Sequence, residues 1–230
     1  MRLKELNGLL LKELSLFYLP QGFDLYGKAS NFCKDEFRVF FGVKSKSRDS
    51  LHFNPSLVVN NTEVFNVLNE LFPESANLTI VRIQGRDLAR AFGCNDYDYL
   101  GDDTYDMDKG KWYQLKNEND INRIVADHSD YMRKVGFRFF DQFSTLIGIS
   151  DFMNKRILEV SQETFDSPSL RKDIGRDFSS KKVISAITAA YLVEHPKIDV
   201  LLGRYRIAFD GIEYTLDRMK KIEDYFTSKS

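Results

Sequence analysis

Six aspartates and three tyrosines, with no basic residue among them, fall within the stretch Asn95 to Asp108. The run is Asp96, Tyr97, Asp98, Tyr99, Leu100, Gly101, Asp102, Asp103, Thr104, Tyr105, Asp106, Met107, Asp108. Three readings compete for it. Calcium takes several oxygen ligands from one short loop. Asp96, Asp98 and Gly101 follow the opening of such a loop, but Leu100 stands at the fifth position and Met107 at the twelfth, where a bidentate glutamate is required. A basic protein partner is the second reading. Carboxylates steer its approach, and tyrosines supply contact area at low entropic cost. The third is a solvated loop whose tyrosines lean on the core. We assign no metal and no cofactor.

The other reactive side chains are scattered. His52, His128 and His195 have no second His or Cys at ligand spacing. His52 alternates into an expected strand. His128 falls on the apolar face of an expected helix and reads as a core or boundary histidine with one satisfied nitrogen, ahead of a catalytic base. His195 precedes Pro196 at a helix end, where a cation would also meet the helix dipole favourably. Cys33 and Cys94 are far apart and read as reduced thiols. Gly85 and Gly93 bracket Arg86 to Arg90 without a phosphate-loop lysine or a dinucleotide fingerprint. There is no nucleophile elbow and no HExxH. Asp102 and Asp103 are neighbours, whereas acid–base work needs carboxylates across a cleft. Lys44, Lys46 and Arg48 alternate on a strand and its turn, which discourages edge pairing more than it tracks phosphates. Phe137, Phe139, Phe140 and Phe143 read as core, with a pocket lining as the alternative. No catalytic residue is assigned.

The elements that must position these residues change period along the chain. Leu3, Leu6, Leu10, Leu14 and Phe17 mark one helical face over 2–17, closed by Pro20-Gln21-Gly22. Phe23–Lys28, Phe37–Lys46 and Leu51–Val59 read as strands, the last two antiparallel across a polar connector. Thr62 caps a helix that stops before Pro73. Leu78–Gln84 and Trp112–Leu115 read as further strands, with no clean period between Arg86 and Lys111. From Asp120 to Phe139 the helical period returns, with Gly136 a candidate kink. Further helices are expected at Thr145–Glu159 capped by Ser144, from Ser167-Pro168, at Lys182–Glu194, Ile198–Phe209 and Gly211–Phe226. The helix at Lys182–Glu194 is apolar on several sides and so reads as central.

Composition bounds the function classes. With 33 Lys+Arg against 34 Asp+Glu in 230 residues, the chain lacks the basic surplus of a dedicated nucleic-acid binder. Its 43% hydrophobic content is too high for disorder. The longest apolar stretch, Val183 to Val193, falls short of the roughly 20 residues of a membrane span. The N-terminus makes a poor signal peptide.

Two stretches carry a family resemblance. One is Phe37-Arg38-Val39-Phe40-Phe41-Gly42-Val43-Lys44-Ser45-Lys46-Ser47 with the strand Leu51 to Val59. The other is Trp112-Tyr113-Gln114-Leu115, then Asp120-Ile121 opening a helix that closes in Phe139-Phe140-Asp141-Gln142-Phe143-Ser144. Together, over about residues 5–155, they resemble the uncharacterised bacterial domains of the domain-of-unknown-function 4304 type. Some members of that family sit in toxin–immunity neighbourhoods. The resemblance implies a fold and a non-enzymatic role, and it brings no catalytic residues.

The expectation is an α+β protein: an antiparallel sheet of four to five strands with flanking helices, then a helical C-terminal half. We divide it at 1–117 and 118–230, packed as one continuous globular unit. The expected function is that of a cytoplasmic bacterial protein-binding module, immunity-like, with no catalytic activity. Asp96, Tyr97, Asp98, Tyr99, Asp102, Asp103, Tyr105 and Asp106 would meet a basic protein partner, with no nucleic acid and no membrane involved. The alternative is a small-ligand binder or enzyme with a pocket between sheet and helices, using His128 or the phenylalanine cluster.

Overall fold

A computed structural model describes residues 3–26, 31–47, 50–76, 79–84, 113–160 and 179–229. The chain is α+β, with an antiparallel sheet, flanking helices and a helical C-terminal half, as its periods predict. It forms two compact units. Unit 1 is Met1–Asn60 with Val81–Asp141, and unit 2 is Asn61–Ile80 with Gln142–Ser230.

Unit 1 is built on the sheet. Its strands are β1 (Asp24–Leu25), β2 (Asn31–Lys34), β3 (Phe37–Ser47), β4 (Ser50–Asn60), β5 (Thr79–Gln84) and β6 (Tyr113–Leu115). The order is β1-β2-β3-β4-β5, with β6 paired off this path to β4. The β3–β4 hairpin is antiparallel, with Val39 opposite Leu57. Phe32 lies opposite Val39 from the other side. Phe32, Val39 and Leu57 thus form one buried row across three strands, the cross-strand unit that stabilises a sheet. The sequence signals gave no β2. It has only four residues, and its turn to β3 uses Asp35 in the left-handed region (φ 50) in place of a glycine. Aspartate tolerates that region better than most residues.

Helix α1 (Leu3–Tyr18) buries Leu6, Leu10, Leu14, Phe17 and Tyr18. It ends in a short 3-10 turn, Leu19–Gln21, closed by Gly22 at φ 81. Helix α3 (Glu118–Tyr131) packs on α1 and β6. A capping box opens it: Asn117 and Asp120 exchange side-chain and backbone bonds. The helix then widens into a π turn, Met132–Gly136, before α4 (Phe137–Gln142). Gly136 is therefore where the helix is perturbed, as expected. A Cβ there would run into the Met132 sulfur and press on Leu57.

Unit 2 is helical. It comprises α2 (Thr62–Leu71), α5 (Leu146–Glu159), α6 (Ser180–Leu192), α7 (Ile198–Ala208) and α8 (Glu213–Lys229). Helix α6 is the hub, touching α2, α5, α7 and α8. Its buried residues, Val183, Ile184, Ala186, Ile187, Thr188, Ala189 and Ala190, occupy most of its circumference. That matches its expected central place. A buried polar knot ties three helices together. Tyr205 donates to Asn154 Oδ1 at 3.0 Å, and Asn154 Nδ2 donates to the Ser150 and Ala186 carbonyls at 2.8 and 3.2 Å. Arg204 donates to the carbonyls of Ile157, Leu158 and Val160 at 2.6, 3.2 and 2.8 Å. It thereby satisfies acceptors that the end of α5 leaves open. Two caps sit one residue from their expected place: Asn61, not Thr62, caps α2, and Thr145, not Ser144, caps α5.

Candidate functional site

His128 is the centre of the unit 1 core. It lies on the inner face of α3, with no exposed surface. Tyr18 from α1 reaches its Nε2 at 2.5 Å. Phe41 meets the imidazole edge to face at 4.9 Å between centroids, Tyr131 is at 6.2 Å, and Tyr113 at 6.5 Å. Burial pushes His128 down to about 3, because a charged imidazole would lose its hydration there. Burial, reinforced by Tyr131, also holds Tyr18 well above its usual range. Tyr18 is therefore a neutral donor, and Nε2 accepts. The ring proton then sits on Nδ1, which is buried and has no hydrogen-bond partner among the described residues. One nitrogen is satisfied and one is not, in a closed aromatic shell. This is the core histidine that the sequence suggests. The phenylalanines at the end of the same helix pack likewise. Phe139 and Phe140 are buried, and Phe140 meets Phe23 and Phe37 at 5.7 and 4.7 Å.

One acid stands beside this core. Tyr113 donates to Asp127 Oδ2 at 2.5 Å. Desolvation raises Asp127 above the usual carboxylate range, against the opposing pull of the Tyr113 hydrogen bond. Asp127 is thus tied to β6.

The acidic segment, Asp96, Tyr97, Asp98, Tyr99, Asp102, Asp103, Tyr105 and Asp106, lies outside the described residues, as do Cys94, Trp112 and the Ser167-Pro168 helix start. His52 is in β4, opposite Lys44 on one side and Gln114 on the other. Cys33 is a half-buried free thiol on β2.

Described residues line clefts in both units. One of about 390 Å³ lies in unit 1, lined by Leu6, Lys116, Asn117, Glu118 and Asn119. Its polar groups serve the start of α3: Asp120 accepts from Lys116 N and Asn117 N at 2.8 and 3.1 Å, and Asn117 accepts from Asn119 N at 2.9 Å. The other, of about 370 Å³, lies in unit 2 at the C-terminal end of α6. Tyr191, Glu194, His195, Ile198 and Phe226 line it. Tyr191 and Phe226 stack face to face at 4.7 Å and 4°. His195 Nδ1 accepts from Lys197 N at 3.1 Å, so the proton of the neutral ring is on Nε2, which faces Asp151 at 3.6 Å. The sequence marks His195 through Pro196 and the helix end. It gives no sign of Phe226, which α8 brings from a distant part of the chain.

Among the described residues no group of His, Cys, Asp and Glu could hold a metal ion. No described helix is long and apolar enough to cross a membrane. No family model, curated protein or solved structure matches this chain.

Proposed function

We propose that the protein acts by binding, as a cytoplasmic, immunity-like module that recognises a basic protein partner through residues 96–108. The observation that carries this reading is the sequence of that segment, six aspartates and three tyrosines without a base. Its charge suits a cationic surface, and its tyrosines suit a contact that must bury area cheaply. A sealed His128 supports the same reading, because the side chain offers no surface to a substrate. The half-buried free Cys33 fits a reducing compartment.

The test uses a fluorescein-labelled nona-arginine peptide as the probe of basic character. Wild-type protein is expected to bind it with an affinity that falls steeply with salt. Changing Asp96, Asp98, Asp102 and Asp103 together to Asn is expected to weaken binding about tenfold or more, with Tyr97→Ser and Tyr99→Ser adding to the loss. Equal binding by the quadruple variant, or no binding by the wild type at low salt, refutes the assignment.

A second reading, small-ligand binding, is favoured by one observation. The cleft at the end of α6 gathers a carboxylate, a histidine and two stacked rings.

A further inference from the structure

Helix α6 ends in an unusual way. The His195 N–H returns to the Ala190 carbonyl at 2.9 Å, and the Glu194 N–H to the Tyr191 carbonyl at 3.0 Å. These two bonds define the helix stop whose turning residue is left-handed and usually glycine. Here it is Glu194, at φ 48. A side chain in that conformation costs stability that a glycine would avoid. The same glutamate lines the 370 Å³ cleft, whose volume falls in the range of about 300–1,000 Å³ typical of small-molecule sites.

The rest of the lining has a definite character. Ala190, Ile198 and the stacked pair Tyr191 and Phe226 form an apolar and aromatic wall. Among the lining residues described, Glu194 is the one carboxylate, and His195, held by Lys197 N and facing Asp151, is the other titratable group. Arg206, whose charge acts on Tyr191, is already engaged by both carboxylate oxygens of Glu223 at 2.6 and 2.5 Å. Burial raises the Tyr191 hydroxyl, and the carboxylates of Glu223 and Asp199 raise it further against the opposing Arg206. Glu194 is exposed and would repel an anion entering beside it. Cations, by contrast, are attracted both to carboxylates and to aromatic faces.

We propose that the cleft at the end of α6 binds a small organic cation, an ammonium group carried on a flat apolar body. The Glu194 carboxylate meets the ammonium, and Tyr191, Phe226 and Ile198 meet the body. This site is independent of the acidic segment, so failure of one proposal leaves the other standing.

Three probes of one shape separate the chemistry: benzylammonium, benzyl alcohol and benzoate. Each is titrated into the full-length protein and followed by backbone amide shifts. Benzylammonium is expected to perturb residues 190–198 and 225–227 saturably, at least tenfold more tightly than benzyl alcohol, with benzoate weakest. Glu194→Gln is expected to abolish that preference. Glu194→Gly should lose it too while melting a few degrees higher, because glycine suits the helix stop. Loss of binding in that variant therefore cannot be blamed on loss of fold. Benzyl alcohol binding as tightly as the ammonium, or a preference that survives Glu194→Gln, overturns the proposal.

Discussion

At the scale of single residues, the Tyr18–His128 pair governs how unit 1 responds to acid. His128 titrates near 6.5 when unfolded and is pushed down to about 3 when folded. Between those values the unfolded chain holds a proton that the folded chain refuses. Stability due to this group is therefore complete above pH 6.5 and is lost as pH falls toward 3. At pH 5 the loss is about 2 kcal/mol. Of the groups near His128, Tyr18, Tyr113 and Tyr131 carry no charge at these pH values, whereas Asp127, raised by desolvation, takes up its proton more readily in the folded chain and so works in the opposite sense. Urea unfolding at pH 7.5 and pH 5 measures the effect. His128→Leu alone leaves the Tyr18 hydroxyl buried without an acceptor and is expected to cost about 1–3 kcal/mol. Adding Tyr18→Phe should restore part of that and remove the acid sensitivity. A double variant as acid-sensitive as the wild type contradicts this account. The histidine itself was legible, because it falls on the apolar stripe of a long helix. Its partner was not, since Tyr18 lies 110 residues away and only tertiary packing joins them.

At the scale of elements, helices with a sustained stripe of apolar residues could be read from the sequence, and short or locally ambiguous features could not. Helix ends moved by one residue where two capping residue types stand side by side, as at Asn61-Thr62 and Ser144-Thr145. Either residue can accept the first free N–H, and the backbone entering the helix decides between them. Strand β2 was lost between a short loop and a turn without glycine. The helical glycines make a sharper test of the packing. Among the described residues, no atom lies near the place a Cβ would occupy at Gly8 in α1 or Gly203 in α7. Changing either to Ala is expected to stabilise by roughly 0.5–1 kcal/mol, through helix propensity alone. Gly148 is different: a Cβ there would overlap the Gln142 carbonyl, which is backbone and cannot swing away. Gly148→Ala is expected to destabilise by about 1–3 kcal/mol. Gly136→Ala should also destabilise, because the methionine that would have to yield is fully buried. Denaturant midpoints for the four variants should separate into these two groups. Stabilisation by Gly148→Ala would mean that the Gln142 carbonyl does not hold this position against α5 in solution.

At the scale of the whole molecule, each compact unit is assembled from two separate stretches of the chain. Local patterns report what each segment becomes, not which distant segment covers it. Residues 61–80 show this most clearly. Helix α2 packs on α6 within unit 2. Glu70 accepts from the Tyr225 hydroxyl at 2.8 Å, while Glu74 and Ser75 accept from Arg218 at 2.5 and 2.8 Å. Arg218 is 7% exposed, and its guanidinium lies 4.7 Å from the Phe72 ring and 4.3 Å from the Tyr214 ring. A fragment of residues 142–230 would strip this guanidinium of Glu74, Ser75 and Phe72 together, leaving a cation on an apolar surface. It would also uncover the side of α6 that α2 protects. The expected outcome is a fragment with low amide dispersion and a broad, non-cooperative melt. Joining 61–80 to 142–230 through a flexible Gly/Ser linker should restore a cooperative transition, since linkers of that composition impose little conformational preference of their own. In the linked protein Arg218→Lys is expected to lower the melting temperature, because an ammonium cannot lie flat between two rings and still reach both oxygens. If residues 142–230 fold cooperatively without 61–80, then α2 is an accessory to unit 2 and not part of its core.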